Sequence, residues 1–224
     1  MRVAWKECAA ELIGTFALCF IGAGAICTDA LTRGAVGLIG IAMAHGLVLS
    51  IAVSCTMAIS GGQLNPAVTL ALWATGRIKS AAQVGQYIVS QLVGAILAGF
   101  CLKSLYAKSV WQGVHLGAPA LLDTRITPVQ GTFIEAILTF FLVFAVFGTA
   151  VDSKAPKLGG FGIGLTIAFD ILMGGPLTGA AMNPARAFGP ALAAGYWNNQ
   201  WVYWIGPIAG GVVAGWVYDK FLRK

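Results

Sequence analysis

The sequence predicts an all-α membrane protein of six transmembrane helices and two re-entrant half-helices, arranged as an inverted repeat in a single domain over residues 1–224. Three observations carry this: long uncharged stretches, two Asn-Pro-Ala turns inside them, and a second half that repeats the first. Of the 224 residues, 58% are hydrophobic and 10% charged, where a soluble domain has roughly 25% charged. No Asp, Glu, Lys or Arg lies between Arg33 and Arg77, and only Asp170 and Arg186 lie between Leu158 and Tyr218. Such stretches belong in lipid.

Six apolar runs are long enough to cross a bilayer: about Cys8 to Cys27, Gly34 to Met57, Ala81 to Leu105, Val129 to Val151, Gly159 to Gly174, and Trp201 to Leu222. The first reads as a span rather than a signal peptide, because Glu7 and Glu11 interrupt it and no small-residue cleavage site follows. As one helix, the uncharged stretch Gly34 to Gly76 would extend about 65 Å, twice a hydrocarbon core of about 30 Å. The chain must therefore break at Ser60-Gly61-Gly62-Gln63. Asn65 then caps a new helix and Pro66 occupies its first position. In the second half Gly174-Gly175-Pro176 is expected to end a span before Asn183, Pro184 and Ala185 open the other short helix.

Glu11, Thr15 and Phe16 share their spacing with Glu135, Thr139 and Phe140. Repeat one covers about residues 1–106, with a half-helix at about 65–76; repeat two covers about 125–224, with a half-helix at about 183–194. Three crossings per repeat is an odd number, so the second repeat is inverted relative to the first. Nine basic residues (Arg2, Lys6, Arg77, Lys79, Lys154, Lys157, Lys220, Arg223, Lys224) fall on one side and four (Arg33, Lys103, Lys108, Arg125) on the other, which puts both termini in the cytoplasm. The net charge of +6 thus reads as topology, and no basic patch with interleaved aromatics suggests a nucleic-acid partner. Trp201, Tyr203, Trp204, Trp216 and Tyr218 fit interfacial anchoring of the last span or packing against its neighbours. The dense glycines permit close helix packing.

A helix start at membrane depth exposes unpaired amides and about half a positive charge, so it must be buried in protein or line a wet cavity. Two half-helices of about ten residues, about 15 Å each, entering from opposite faces would meet at mid-membrane. Asn65 and Asn183 can cap through their carbonyl oxygens and keep amide hydrogens free to donate into a lumen. Such donors, with two positive dipole ends and an apolar wall, favour a neutral solute and oppose a cation or hydronium.

The stretches Ser60 to Leu70 (SGGQLNPAVTL) and Thr178 to Pro190 (TGAAMNPARAFGP), with the repeat, closely resemble the aquaporin (major intrinsic protein) family. The resemblance covers essentially the whole chain and implies a passive channel for water. It also implies a homotetramer, each subunit with its own pore; the cell membrane, plasma or inner, is the expected location. Asn65, Pro66, Ala67, Asn183, Pro184 and Ala185 are then the pore motifs, with His45, Ile171, Ala180 and Arg186 as the selectivity filter. This set looks like the plant tonoplast intrinsic branch, without the aromatic that narrow water channels have at Ile171. That implies a wider, partly apolar filter and ammonia as a second permeant, with protons and ions excluded. Glycerol or urea facilitation is the alternative. Glycerol is the weaker permeant, because Ala187 and Ala191 stand where glycerol-conducting relatives have an Asp and a basic residue, and Tyr203-Trp204 fits the water-channel pattern. His115, in the long central connection, is a candidate accessory to the filter.

Glu11 and Glu135 are expected to accept hydrogen bonds from the adjacent re-entrant loops. A proton-coupled transporter using them as carriers is the competing class. His45 could instead bridge helices. Gln63, Thr69 and Thr178 read as loop hydrogen-bonders rather than solute contacts, and Asp170 is expected to find a nearby donor. Cys8, Cys19, Cys27, Cys55 and Cys101 lack metal-ligand spacing and read as buried free thiols. No nucleophile elbow, metal cluster or cofactor motif suggests an enzyme.

Overall fold

A computed structural model describes residues 4–122, 125–154, 156 and 158–223. Arg2, Lys157 and Lys224, counted above for topology, lie outside the described residues. The first repeat comprises α1 (Trp5–Leu31), α2 (Gly37–Ser60), the short α3 (Pro66–Ala74) and α4 (Ala81–Leu105). A connection carrying α5 (Lys108–Trp111) and a 3-10 turn at His115–Gly117 leads to the second: α6 (Pro128–Val146), α7 (Phe161–Thr178), the short α8 (Pro184–Ala194) and α9 (Val202–Val217). Among the described residues five helices are long and apolar enough to span a membrane, the α6 span running on to Val151. The sixth, α9, is 16 residues and continues through a π turn to Leu222.

The repeat is visible in the packing. α1 lies on α2 and α4 as α6 lies on α7 and α9, and α2 and α7 meet along the axis between the halves. Each half-helix packs mainly on the last span of the other repeat, α3 on α9 and α8 on α4. Glycines make these approaches possible. A Cβ at Gly94 would collide with the Leu12 carbonyl and one at Gly210 with the Ala136 carbonyl, the equivalent positions of the two repeats. At the axis, a Cβ at Gly46 would stand 2.7 Å from the Gly164 carbonyl oxygen. Backbone contact this close is how helices associate where lipid supplies no hydrophobic drive.

Two expectations need correction. Gly174-Gly175-Pro176 does not end the fifth span: α7 runs on to Thr178, and Pro176 is tolerated in its final turn. The stop is Gly179, left-handed at φ 84° and donating to the Gly175 carbonyl, as Gly61 at φ 90° stops α2. Tyr203 is not an interfacial anchor: it is fully buried and its hydroxyl donates to the Thr178 carbonyl at 2.8 Å. Trp201 and Trp216 are exposed.

Candidate functional site

The two re-entrant segments have the same backbone path. Gly62 and Ala180, then Leu64 and Met182, sit in left-handed conformations at equivalent places, a cost of about 1–3 kcal/mol for each non-glycine residue. Buried carboxylates hold that path. Glu135 accepts from Thr178 Oγ1 at 2.7 Å and from the amides of Ala181 at 2.9 Å and Met182 at 2.8 Å. Glu11 accepts from Ser60 Oγ at 2.6 Å, the Gln63 and Leu64 amides at 2.9 and 2.6 Å, and Gln91 Nε2 at 2.8 Å. Both carboxylates are 0% exposed, and each is engaged by two loop amides and a loop hydroxyl. Gln91 also donates to Thr69 Oγ1 at 3.0 Å. Sequence reasoning missed it, although an amide midway along an apolar span was the available signal.

The half-helix tips meet and lock each other. Asn65 Oδ1 caps α3 through the Ala67 amide at 2.9 Å, while its Nδ2 donates to the Met182 carbonyl at 2.9 Å. Reciprocally, Asn183 Oδ1 accepts from the Ala185 and Arg186 amides, and its Nδ2 donates to the Leu64 carbonyl at 2.9 Å. The expectation that each Asn keeps its amide hydrogens free is thereby corrected. One of the two on each Nδ2 ties the repeats together, and one is left for the lumen.

A cavity of about 250 Å³ borders both asparagines and His45, Ile171, Ala180 and Arg186. His45, Leu49, Val53 and Met57 line it at four-residue spacing along α2, a run of about 18 Å. Ile163, Ile167 and Ile171 of α7 form the facing stripe. Arg186 follows the α8 cap and is 3% exposed. Its Nη1 donates to the Gly117 carbonyl at 2.7 Å and its Nη2 lies 3.0 Å from His45 Nε2. His45 Nδ1 is 2.9 Å from the Ile41 carbonyl. A carbonyl requires a hydrogen on Nδ1, which leaves Nε2 a bare acceptor for Arg186. Among the described residues no carboxylate pairs with Arg186. Gly22 belongs to this corner as well, since a Cβ there would collide with the His45 ring.

His115 does not line the cavity. Its ring stacks on Tyr196 at 3.8 Å between centroids, and burial lowers its pKa from the ordinary histidine value. The connection contributes instead the Gly117 carbonyl, which no feature of the sequence singles out. Thr178 and Thr69 are loop hydrogen-bonders, but the Gln63 side chain is not. Asp170 is 7% exposed and lies off the cavity, and the expected donor is absent at Oδ2 among the described residues. No described cysteine lines the cavity.

Opposed half-helix tips bordering a largely apolar cavity inside a multi-pass helical protein are the architecture of a passive channel. The Major intrinsic protein family profile matches residues 2–218. Among curated relatives, "Aquaporin TIP4-4" of Zea mays is 46% identical over 218 residues, covering 94% of this chain and 84% of the relative. "Probable aquaporin TIP3-2" of Arabidopsis thaliana is 41% identical over 95% of this chain and 82% of its own. "Aquaporin NIP1-1" of Zea mays is 39% identical, with 96% and 75% covered. The X-ray structure of the aquaglyceroporin from Plasmodium falciparum superposes with a TM-score of 0.84 at 24% identity, over 98% of this chain and 97% of that one, a likeness of fold. The chain belongs to the major intrinsic protein family: it is a multi-pass membrane channel for water or small neutral solutes, not an enzyme.

Proposed function

We propose that the protein conducts water, with ammonia as a second permeant, and excludes protons and ions. The observation that carries this reading is the cavity bordered by both Asn tips and by a buried Arg186 that no carboxylate pairs with among the described residues. A cation there meets a fixed guanidinium and two positive helix ends in a low dielectric, whereas a neutral molecule loses few hydrogen bonds. Ile171 and the methyl of Ala180 put small or aliphatic surface on the cavity wall beside Arg186, in support of ammonia as a second permeant. Glu11 and Glu135, each fully engaged by loop donors, serve as brackets rather than proton carriers.

The curated relatives named above carry aquaporin names, in support of water. We further propose a homotetramer in the cell membrane, plasma or inner, with both termini cytoplasmic. The TIP names favour a vacuolar membrane instead, and fractionation of the native source separates the two. The functional test is stopped-flow light scattering on proteoliposomes challenged with sucrose, ammonia, glycerol and urea. Water and ammonia are expected to cross well above the empty-vesicle rate, glycerol and urea near it. Glycerol crossing as readily as water would replace this reading with the facilitator one.

A further inference from the structure

The charge barrier depends on where the Arg186 guanidinium stands, and its Nη1 is held by a backbone group, the Gly117 carbonyl at 2.7 Å. The turn that offers this carbonyl is wound against the ordinary preference of L-residues. His115, Leu116 and Gly117 are left-handed in succession, at φ 48°, 56° and 73°, a conformation that non-glycine residues keep only where the surroundings over-determine it. Leu116 is fully buried in a cluster with Ala23 and Leu102, and the Gly117 backbone lies so close to Ala23 that a Cβ would collide with it. His115 is held differently: its ring lies flat on Tyr196, with 3.8 Å between centroids and 7° between planes. Tyr196 is a fixed platform for it. The Tyr196 amide donates to the Ala191 carbonyl at 2.9 Å, and Lys103 Nζ, at the end of α4, donates to the Ala193 carbonyl at 2.6 Å. Neither ring borders the cavity.

We propose that Tyr196 is a positioning residue for the filter: by stacking on His115 it keeps this turn wound, and with it the Gly117 carbonyl in place for the Arg186 guanidinium. Arg186 lies in the first turn of α8 and Tyr196 follows its C-terminal Gly195. One half-helix therefore carries both the filter cation and the clamp on the loop that orients it. With the stack lost, His115 is free to leave its left-handed conformation and the carbonyl turns away. The guanidinium then keeps only its contact with His45 at 3.0 Å, and neutral solutes larger than water gain entry.

The inference rests on the proposed function, and the test keeps the two apart. Urea and water permeabilities are measured by stopped flow on proteoliposomes of the wild type, Tyr196→Leu, Tyr196→Phe, Arg186→Ala and the double variant combining Tyr196→Leu with Arg186→Ala. An aromatic pair is worth about two- to tenfold in an equilibrium, so Tyr196→Leu is expected to raise the urea-to-water ratio about threefold. Tyr196→Phe keeps the stacking ring and is expected to keep the wild-type ratio. In the Arg186→Ala background Tyr196→Leu should add nothing, because a residue that acts through another is not additive with it. A Tyr196→Leu ratio within about 1.5-fold of wild type overturns the proposal. So does a rise of the same size on top of Arg186→Ala, which would make the effect a general loosening of the mouth. Should Tyr196→Leu fail to fold, as its thermal midpoint in detergent would show, His115→Ala removes the same stack and carries the same expectations. Wild-type vesicles that pass urea as readily as water would instead overturn the proposed function.

Discussion

Replacing Glu135 with Ala separates a bracket from a proton carrier. The carboxylate holds the Ala181 and Met182 amides at 2.9 and 2.8 Å, with Thr178 Oγ1 at 2.7 Å. Thr178 keeps a long bond to the Gly174 carbonyl at 3.5 Å, so the two backbone amides are the orphans. Each buried orphan costs about 1–3 kcal/mol, a sum of about 2–6, and relief from burying a charge offsets part of it, leaving about 2–4 kcal/mol. The left-handed turn at Met182 then loses its restraint, and with it the carbonyl that Asn65 Nδ2 uses. The thermal midpoint in detergent is expected to fall on the order of 5–10 °C, with water permeability per channel reduced. Glu135→Gln retains one acceptor oxygen, so its loss should be about half as large. Neither variant should make flux depend on a pH gradient. A Glu135→Gln protein of wild-type stability that loses a gradient-driven uptake seen in the wild type would refute the bracket and establish the carrier.

Other expectations follow from the same geometry. Arg186→Ala removes the bonds to Gly117 and His45 together with the buried charge. Urea and glycerol should then enter, by about tenfold over the wild-type rate, in stopped-flow measurements; unaltered exclusion would count against Arg186 as a filter residue. Asp170→Leu should leave permeability unchanged and raise the thermal midpoint, since an apolar side chain of similar shape removes a buried carboxylate oxygen without a partner among the described residues, worth about 1–3 kcal/mol. A loss of water flux in that variant would give Asp170 a role in the conduit. Mercurials should inhibit weakly, because no described cysteine borders the cavity, whereas Ala180→Cys should confer strong, thiol-reversible block. Strong block of the wild type, abolished by replacing one native cysteine, would contradict this.

How far the sequence could be read depended on whether a feature has a local signature. The break at Gly61 and the caps at Asn65 and Asn183 were legible because a glycine stop and an Asn-Pro start are short-range chemistry. Glu11 and Glu135 were legible because an acid in an apolar span needs donors, and equal spacing put both beside re-entrant loops. The end of α7 was misjudged because Pro176 was read as a stop, whereas a membrane helix packed among its neighbours carries a proline inside it, and the real stop lies three residues on. The crossed bonds from each Asn to the opposite loop, the Gly117 carbonyl on Arg186 and the burial of Tyr203 join residues 25 to 119 positions apart, and no local pattern announces them. Gln63 was misassigned because its loop position suggested the bonding that Thr178 has, whereas its own amide points where the protein offers nothing.

The most direct test measures water and protons on the same vesicles. Proteoliposomes carrying an internal pH dye are shocked osmotically, then given a potassium-diffusion potential. The half-helix arrangement requires water flux far above empty vesicles and proton entry equal to theirs. Proton entry rising with channel density in step with water flux would mean that the tips and Arg186 do not exclude charge.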